Sequence, residues 1–263
     1  MKNFSVDDLI VLYEDNQIIV VVKPQNVPSC PDETKDPDML SVVKEYVKKK
    51  ANKTGDAFIG LVHRLDRPTG GVMVFAKTSK AAERLSEQIK NGDFDKEYYC
   101  VICGVPENKK GRLVNYLKKN EKLNKVEVVT LSEEGAKEAI LEYEVKQIVK
   151  TYCLCKVHLE TGRTHQIRVQ MATIGCPLFG DQKYALNHPE TFGLGKLALW
   201  ATKISFIHPV IKDRRSFIVY PPTEDKPWKA FDVNRYLNIA MVSSPYDISK
   251  QKEILQDIEV EDE

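Results

Sequence analysis

The chain has 263 residues, of which 42% are hydrophobic and 29% charged, with a formal net charge of +1. This is enough apolar material for one large domain or two small ones, and no run approaches the roughly 20 apolar residues that a membrane-spanning helix requires. The N-terminus, Met1-Lys2-Asn3-Phe4-Ser5, has no basic stretch followed by an apolar one, so no signal peptide is expected and the cytoplasm is the expected location. The charge is unevenly placed. Residues 224–263 carry ten acidic and five basic side chains, leaving 34 basic and 28 acidic in the rest. A basic body with an acidic tail suits a polyanionic partner.

In chain order, Val11 to Lys23 holds two strand-like runs turned at Asp15-Asn16. Pro24, Pro28, Pro31 and Pro37 mark an extended loop. Met39 to Lys50 reads as a helix, with Leu40, Val43 and Val47 at helical spacing. A short apolar segment, Phe58 to Val62, leads into His63-Arg64-Leu65-Asp66-Arg67-Pro68-Thr69-Gly70-Gly71, and Val72 to Ala76 is strand-like. Ser79 to Lys90 is an amphipathic helix stopped by Asn91-Gly92. Lys96 to Cys103 returns to strand character, and the lysine-rich residues 110–135 suggest hairpin and loop. Ala139 to Val149 and Thr151 to Leu159 nearly alternate, as strands do. Thr164 is placed to cap a helix from His165 to about Ile174, ended by Gly175. Leu197 to Ile207 and Phe217 to Tyr220 are late strands. Strands outnumber helices and short turns join many of them. An α+β fold is expected, with a large mixed or mostly antiparallel sheet, rather than a βαβ nucleotide-binding fold. The expected body covers residues 1–240, with an acidic tail over 241–263.

The chain contains no G-x-x-x-x-G-K-[ST], G-x-G-x-x-G or H-E-x-x-H run, and its five histidines are scattered. Cys100-Val-Ile-Cys103 has zinc-like spacing, but Cys153-Leu-Cys155 is too short for the facing knuckle. The cysteines therefore read as small strand hydrophobes, and no metal site is expected. Two segments stand apart. The first surrounds the carboxylate of Asp66 with His63, Arg64 and Arg67 and then ends in a breaker run of Pro68, Gly70 and Gly71. Flanking arginines favour an ionised carboxylate, which suits a nucleophile or an electrostatic stabiliser. A solvated salt-bridge loop would look similar. The second, Glu160-Thr-Gly-Arg163-Thr-His165-Gln-Ile-Arg168, follows a strand and opens a helix. His165 and Arg168 share a face there, Arg163 lies near the helix N-terminus, and Arg168 has Asp66 as its candidate partner.

Together these segments resemble the RluA-like family of RNA pseudouridine synthases, with its H-R-L-D-R-x-T-S-G stretch and its later T-G-R-x-H-Q-I-R stretch. Lys23-Pro24, Lys96-Glu-Tyr98-Tyr99, Gly175 to Asp181 and Leu197 to Pro209 also follow the family pattern in order. Two positions depart from it: Gly70 replaces the usual serine, and Trp200 stands where a histidine is common.

The resemblance implies a pseudouridine synthase fold that isomerises uridine in ribosomal or transfer RNA, without metal, nucleotide or redox cofactor. It implies Asp66 as the catalytic carboxylate, Arg168 as its ion-pair partner and Tyr98 stacking on the target base. Arg64, His63, Arg67, Lys23, Lys96, Arg163 and His165 are expected to support the site or hold RNA. A monomer is expected. Some relatives add an N-terminal S4 domain; here the first strand begins near residue 10, so RNA is expected to be held by the catalytic domain itself. A second reading, an RNA-binding or ribosome-assembly factor with secondary isomerase activity, follows from the basic body. A carboxylate-dependent glycosidase would require a second acidic residue near Asp66 as acid or base, and none is expected from these motifs.

Overall fold

The structure, a computed structural model, describes residues 4–51, 57–192 and 195–237, so the acidic tail lies outside the described residues. The elements are β1 (Ile10–Glu14), β2 (Ile18–Lys23), α1 (Met39–Lys50), β3 (Gly60–Leu61), β4 (Gly70–Ala76), α2 (Ser79–Asn91) and β5 (Asp95–Cys103). They continue with β6 (Lys110–Asn120), β7 (Lys125–Val129), β8 (Lys137–Val149), β9 (Tyr152–Leu159), α3 (Gln166–Thr173), β10 (Leu199–Ile207), β11 (Arg214–Ile218) and α4 (Val233–Leu237). The strands form one sheet ordered β1-β2-β4-β10-β5-β9-β8-β6-β7, with β11 beside β10 and β3 beside β4. The pairing of β4 with β10 is parallel; the neighbouring pairs β2–β4 and β10–β5 are antiparallel. This is the expected α+β class with a mixed, mostly antiparallel sheet. No described helix is long and apolar enough to cross a membrane.

The central strands are covered on both faces, whereas β6 and β7 are largely exposed. Every residue of β2 and β4 is buried, which is why they read as continuous apolar runs rather than alternating ones. One face packs Val20, Val74, Tyr99, Val101 and Trp200 with Ala81 and Leu85 of α2. The other packs Val21, Met73, Tyr98, Cys100 and Cys155 with Met39 of α1 and Ile167 and Met171 of α3. The period-two pleat thus separates Tyr98 from Tyr99. It also fills both faces with the cysteines, whose burial pushes the Cys153 thiol up to about 11.

Several boundaries shift by one or two residues, as at the starts of β4, β8 and β10, and two elements differ in more telling ways. β11 starts earlier, at Arg214, and ends at Ile218 rather than Tyr220. α3 is not capped by Thr164: His165 is its N-cap, in the left-handed region at φ 52, without a side-chain cap bond. The closing contacts come from the first helical side chain. Gln166 Oε1 accepts from Arg163 N–H at 2.9 Å and from Thr161 Oγ at 2.8 Å, and its Nε2 donates to Ile140 O at 3.0 Å.

The parallel seam explains both departures from the family pattern. Trp200 pairs with Gly70, and Ala201 with Gly71. A Cβ on Gly70 would stand 2.2 Å from the Trp200 ring. Gly71 has φ +126, and a Cβ there would stand 2.2 Å from Ala201 O, so only glycine fits. The indole occupies the space a serine side chain at position 70 would take, while its Nε1 donates to Val219 O at 3.2 Å. Gly70→Ala is expected to destabilise by about 1–3 kcal/mol through overpacking. Adding Trp200→Leu should recover part of this loss, so that the double variant is more stable than the sum of the single losses implies. Urea melts of the three variants check this.

Candidate active site

The loop between β3 and β4 carries Asp66 and is tied down from several directions. Lys23, at the end of β2, is fully buried. Its Nζ donates to the carbonyls of Pro24, Arg67 and Thr69 at 3.1, 3.0 and 2.6 Å. Ser29 Oγ donates to Leu65 O at 2.7 Å and accepts from Leu65 N–H at 3.1 Å. Gln25 Nε2 bridges Pro68 O and Leu197 O at 2.9 and 2.7 Å. Burial lowers the Lys23 ammonium to about 7, with Asp66 pulling the other way. Three carbonyl partners favour the ammonium, since only that form has three N–H donors.

These tethers leave the Asp66 side chain 25% exposed and facing α3. Arg168 Nη1 lies 3.7 Å from Asp66 Oδ2, and His165 Nε2 lies 3.9 Å from the same oxygen. Asp66 is not the nearest partner of Arg168. The guanidinium clamps buried Asp181 bidentately, with Nε to Oδ2 and Nη2 to Oδ1 both at 2.7 Å. Asp181 Oδ1 also accepts from the N–H groups of Lys183 and Tyr184 at 2.9 and 3.2 Å. The Tyr184 ring lies beneath the guanidinium, 5.2 Å from its carbon. Arg168 thus has two nitrogens committed to structure and one presented to Asp66.

The arginines flanking Asp66 do not supply its counter-charge. Arg64 is exposed. Arg67 turns away, donating to Thr34 Oγ at 2.9 Å and to Asp36 Oδ2, with Asp32 at 3.6 Å. His63 is not a cation either: its Nε2 accepts from Val74 N–H at 3.0 Å, and burial lowers it to about 3. A nitrogen that accepts cannot carry a proton, so His63 supports the loop by packing. His165 is likewise neutral, lowered to about 4 by burial against the opposing pull of Asp66.

Tyr98 is buried on the sheet face that carries α3, and burial, followed by the Asp66 charge, raises its phenol. Lys96, two residues earlier on the same face, is also buried. Its ammonium lies beside Gly162, whose Cβ would stand 3.2 Å away, and burial and then Arg163 lower it. Arg163 is exposed and donates to Glu138 O at 2.8 Å. A separate groove of about 590 Å³, lined by Glu97, Arg112, Glu142, Glu144, Lys156 and His158 among others, contains none of the residues around Asp66.

Asp181 and Tyr184 were not singled out from sequence. Their signal was Gly180-Asp181, which follows the family pattern but shows no partner by spacing, since the clamp spans 13 residues. The assembled group is a tethered, part-exposed carboxylate with one fixed cation, one neutral imidazole and one buried phenol. It can carry nucleophilic or proton-transfer chemistry.

The sequence pattern of the RNA pseudouridylate synthase family matches residues 17–173. The chain is 32% identical over 205 residues to an uncharacterised RNA pseudouridine synthase of Synechocystis, covering 76% of this chain and 62% of that protein. It is also 32% identical over 211 residues to ribosomal large subunit pseudouridine synthase D of Xanthomonas campestris, with the same coverages. Its fold is shared with human RNA pseudouridylate synthase domain containing 1, at a TM-score of 0.69, 17% identity and coverage of 94% of this chain and 100% of that one. Human RNA pseudouridylate synthase domain containing 4 superposes with a TM-score of 0.67 at 20% identity, over 87% of this chain and 93% of that one. The chain belongs to the RNA pseudouridylate synthase family. It spans 62% of the length of the Synechocystis and Xanthomonas relatives.

Two outcomes follow from this geometry. Arg168→Met strands the buried Asp181 carboxylate and should cost about 3–5 kcal/mol, whereas Arg168→Lys keeps the charge, loses the fork and should cost less; chemical denaturation separates them. Lys23 titrates near 7 when folded against 10.5 as its ordinary value. Between these the unfolded chain holds more protons, so this group makes stability rise with pH from about 7 to 10.5. Below about 7 both states are charged and the contribution is constant. Melts across that window should show a slope that Lys23→Met flattens.

Proposed function

We propose that this chain isomerises uridine to pseudouridine in structured RNA, with Asp66 as the reacting carboxylate. The observation that carries the reading is Asp66 itself: a part-exposed carboxylate on a loop held from beneath, 3.7 Å from an arginine whose direction is set by Asp181. Preorganised charge of this kind stabilises a reacting group without reorganisation during the reaction.

In the reaction the bond between uracil N1 and the ribose C1′ breaks, the base turns, and C1′ bonds to C5. The proton leaves C5 and N1 gains one, so atoms and electrons balance with no oxidant, metal or nucleotide. Asp66 acts by attack on C1′, by attack on the ring, or by removing a sugar proton; each route uses the carboxylate form. Arg168 orients Asp66, and His165 faces the same oxygen. Tyr98 stacks on the target base and helps to remove the C5 proton, a role supported by its place on the sheet face that carries α3. A uridine within a duplex leaves its stack to reach this depth. Arg64 and Arg163, both exposed, contact phosphate, and buried Lys96, beside Gly162, supports the site. Lys23, His63 and Arg67 act on the loop.

For the substrate we propose large-subunit ribosomal RNA. Supporting this, several relatives similar to the chain bear the names ribosomal large subunit pseudouridine synthase C or D. The test compares pseudouridine maps of 23S ribosomal RNA and of transfer RNA from cells with and without the gene. The expected outcome is a missing 23S pseudouridine that wild type restores and Asp66→Asn does not, although the variant folds and binds RNA. Restoration by Asp66→Asn would support a role in RNA binding or ribosome assembly instead.

A further inference from the structure

Tyr184 has no part in the chemistry proposed above, yet it contacts Asp181, Arg168 and His165, the groups that stand between it and Asp66. Its N–H donates to Asp181 Oδ1 and its ring carries Arg168. The ring also meets the His165 imidazole edge-on, with centroids 5.6 Å apart. Its hydroxyl accepts from the N–H of Val126 on β7 at 2.8 Å and lies 2.8 Å from His165 Nδ1. Around it Leu117 and Val126 of the β6–β7 hairpin pack with Ala139 and Val169 as a small cluster of their own. The next residue back, Lys183, donates from Nζ to Asn124 O in the hairpin turn at 2.6 Å.

We propose that Tyr184 is a positioning residue that joins the β6–β7 hairpin to Asp66 by fixing the tautomer of His165. A tyrosine hydroxyl has one proton and two lone pairs. One lone pair takes Val126 N–H; the hydroxyl then meets His165 Nδ1 either with its proton or with its second lone pair, and the carboxylate on the far side of the ring favours the first. The imidazole then carries its own proton on Nε2, facing Asp66 Oδ2 at 3.9 Å. The opposite tautomer would point the Nε2 lone pair at a carboxylate and leave the phenol proton without the acceptor it has here. The groups facing His165 are Asp66 from the β3–β4 loop, Arg168 from α3, and Asp181 and Lys183 from the segment after α3. Burial among them keeps the ring neutral, so the tautomer is the variable that remains. The contacts run from the hairpin backbone through the phenol to the imidazole, whose Nε2 lies 3.9 Å from Asp66 Oδ2, so loss of the phenol hydroxyl changes the group that faces the reacting carboxylate. Only this catalytic consequence rests on the proposed isomerase function; the tautomer does not.

The test uses the full chain labelled with 15N-histidine, with His165 assigned by its loss in His165→Gln. At pH 7, long-range proton–nitrogen spectra should show His165 protonated on Nε2, with Nδ1 accepting. Tyr184→Phe keeps the ring under Arg168 and removes only the hydroxyl. It should shift His165 toward a mixture of tautomers and lower the single-turnover rate on an unmodified 23S transcript about tenfold at unchanged affinity, the size of one hydrogen bond. An Nδ1–H tautomer in the wild type overturns the proposal, as does a Tyr184→Phe protein that keeps both the wild-type tautomer and rate. If Tyr184→Phe does not fold, the wild-type spectrum still decides. A wild-type protein with the expected tautomer but no activity on the transcript would count against the proposed reaction and leave the positioning role standing.

Discussion

The buried pair of Arg168 and Asp181 is the contact on which the rest of the site depends. Two charges taken out of water cost several kcal/mol each unless their hydrogen-bonding capacity is filled. Here it is filled: Asp181 receives two guanidinium N–H groups and two backbone N–H groups. The pair joins α3 to the segment that follows it. Because the fork is planar and rigid, satisfying Asp181 with Nε and Nη2 dictates where Nη1 points, and it points at Asp66. The nearest cation to the candidate carboxylate is thus held by a contact that does not involve that carboxylate.

Asp66 is held by the complementary device, a loop whose own carbonyls are consumed. Lys23 gathers two of them, at Arg67 and Thr69, while Gln25 and Ser29 take those of Pro68 and Leu65. Directly beyond, Gly70 and Gly71 bring β4 against β10 at the parallel seam. Trp200 fills the space that a side chain at position 70 would take, so the two departures from the family pattern are one packing solution seen from two strands. Both devices fix their groups with side chains whose hydrogen bonds are filled, which suits a site that has to be preorganised.

The same economy accounts for the histidines and arginines around Asp66. A stretch reading His-Arg-Leu-Asp-Arg suggests a carboxylate ringed by cations, but an extended loop sends neighbouring side chains in different directions. Arg67 goes to the acidic loop at Asp32 to Asp36, His63 accepts a β4 amide, and Arg64 faces solvent. The charge that matters comes from about 100 residues further along the chain.

Asp66 as a candidate, the pairing of the two basic motifs and the strand-rich α+β class were legible in the sequence. The reason is that each rests on local chemistry: breaker residues around a carboxylate, apolar runs of strand length, and residue order matching a family pattern. Tyr98 is named by motif position alone; the pleat sends it and Tyr99 to opposite faces, with Tyr98 on the one that carries α3. The Asp181 clamp, the Tyr184 contacts and the Gly70–Trp200 exchange could be decided only by tertiary structure. Their partners lie 13, 19 and 130 residues or so apart, with no period or spacing to announce them. Sequence specifies which groups are available and how each segment folds. Which donor meets which acceptor across the sheet depends on register and on the packing of α3 against it, and those are properties of the whole chain.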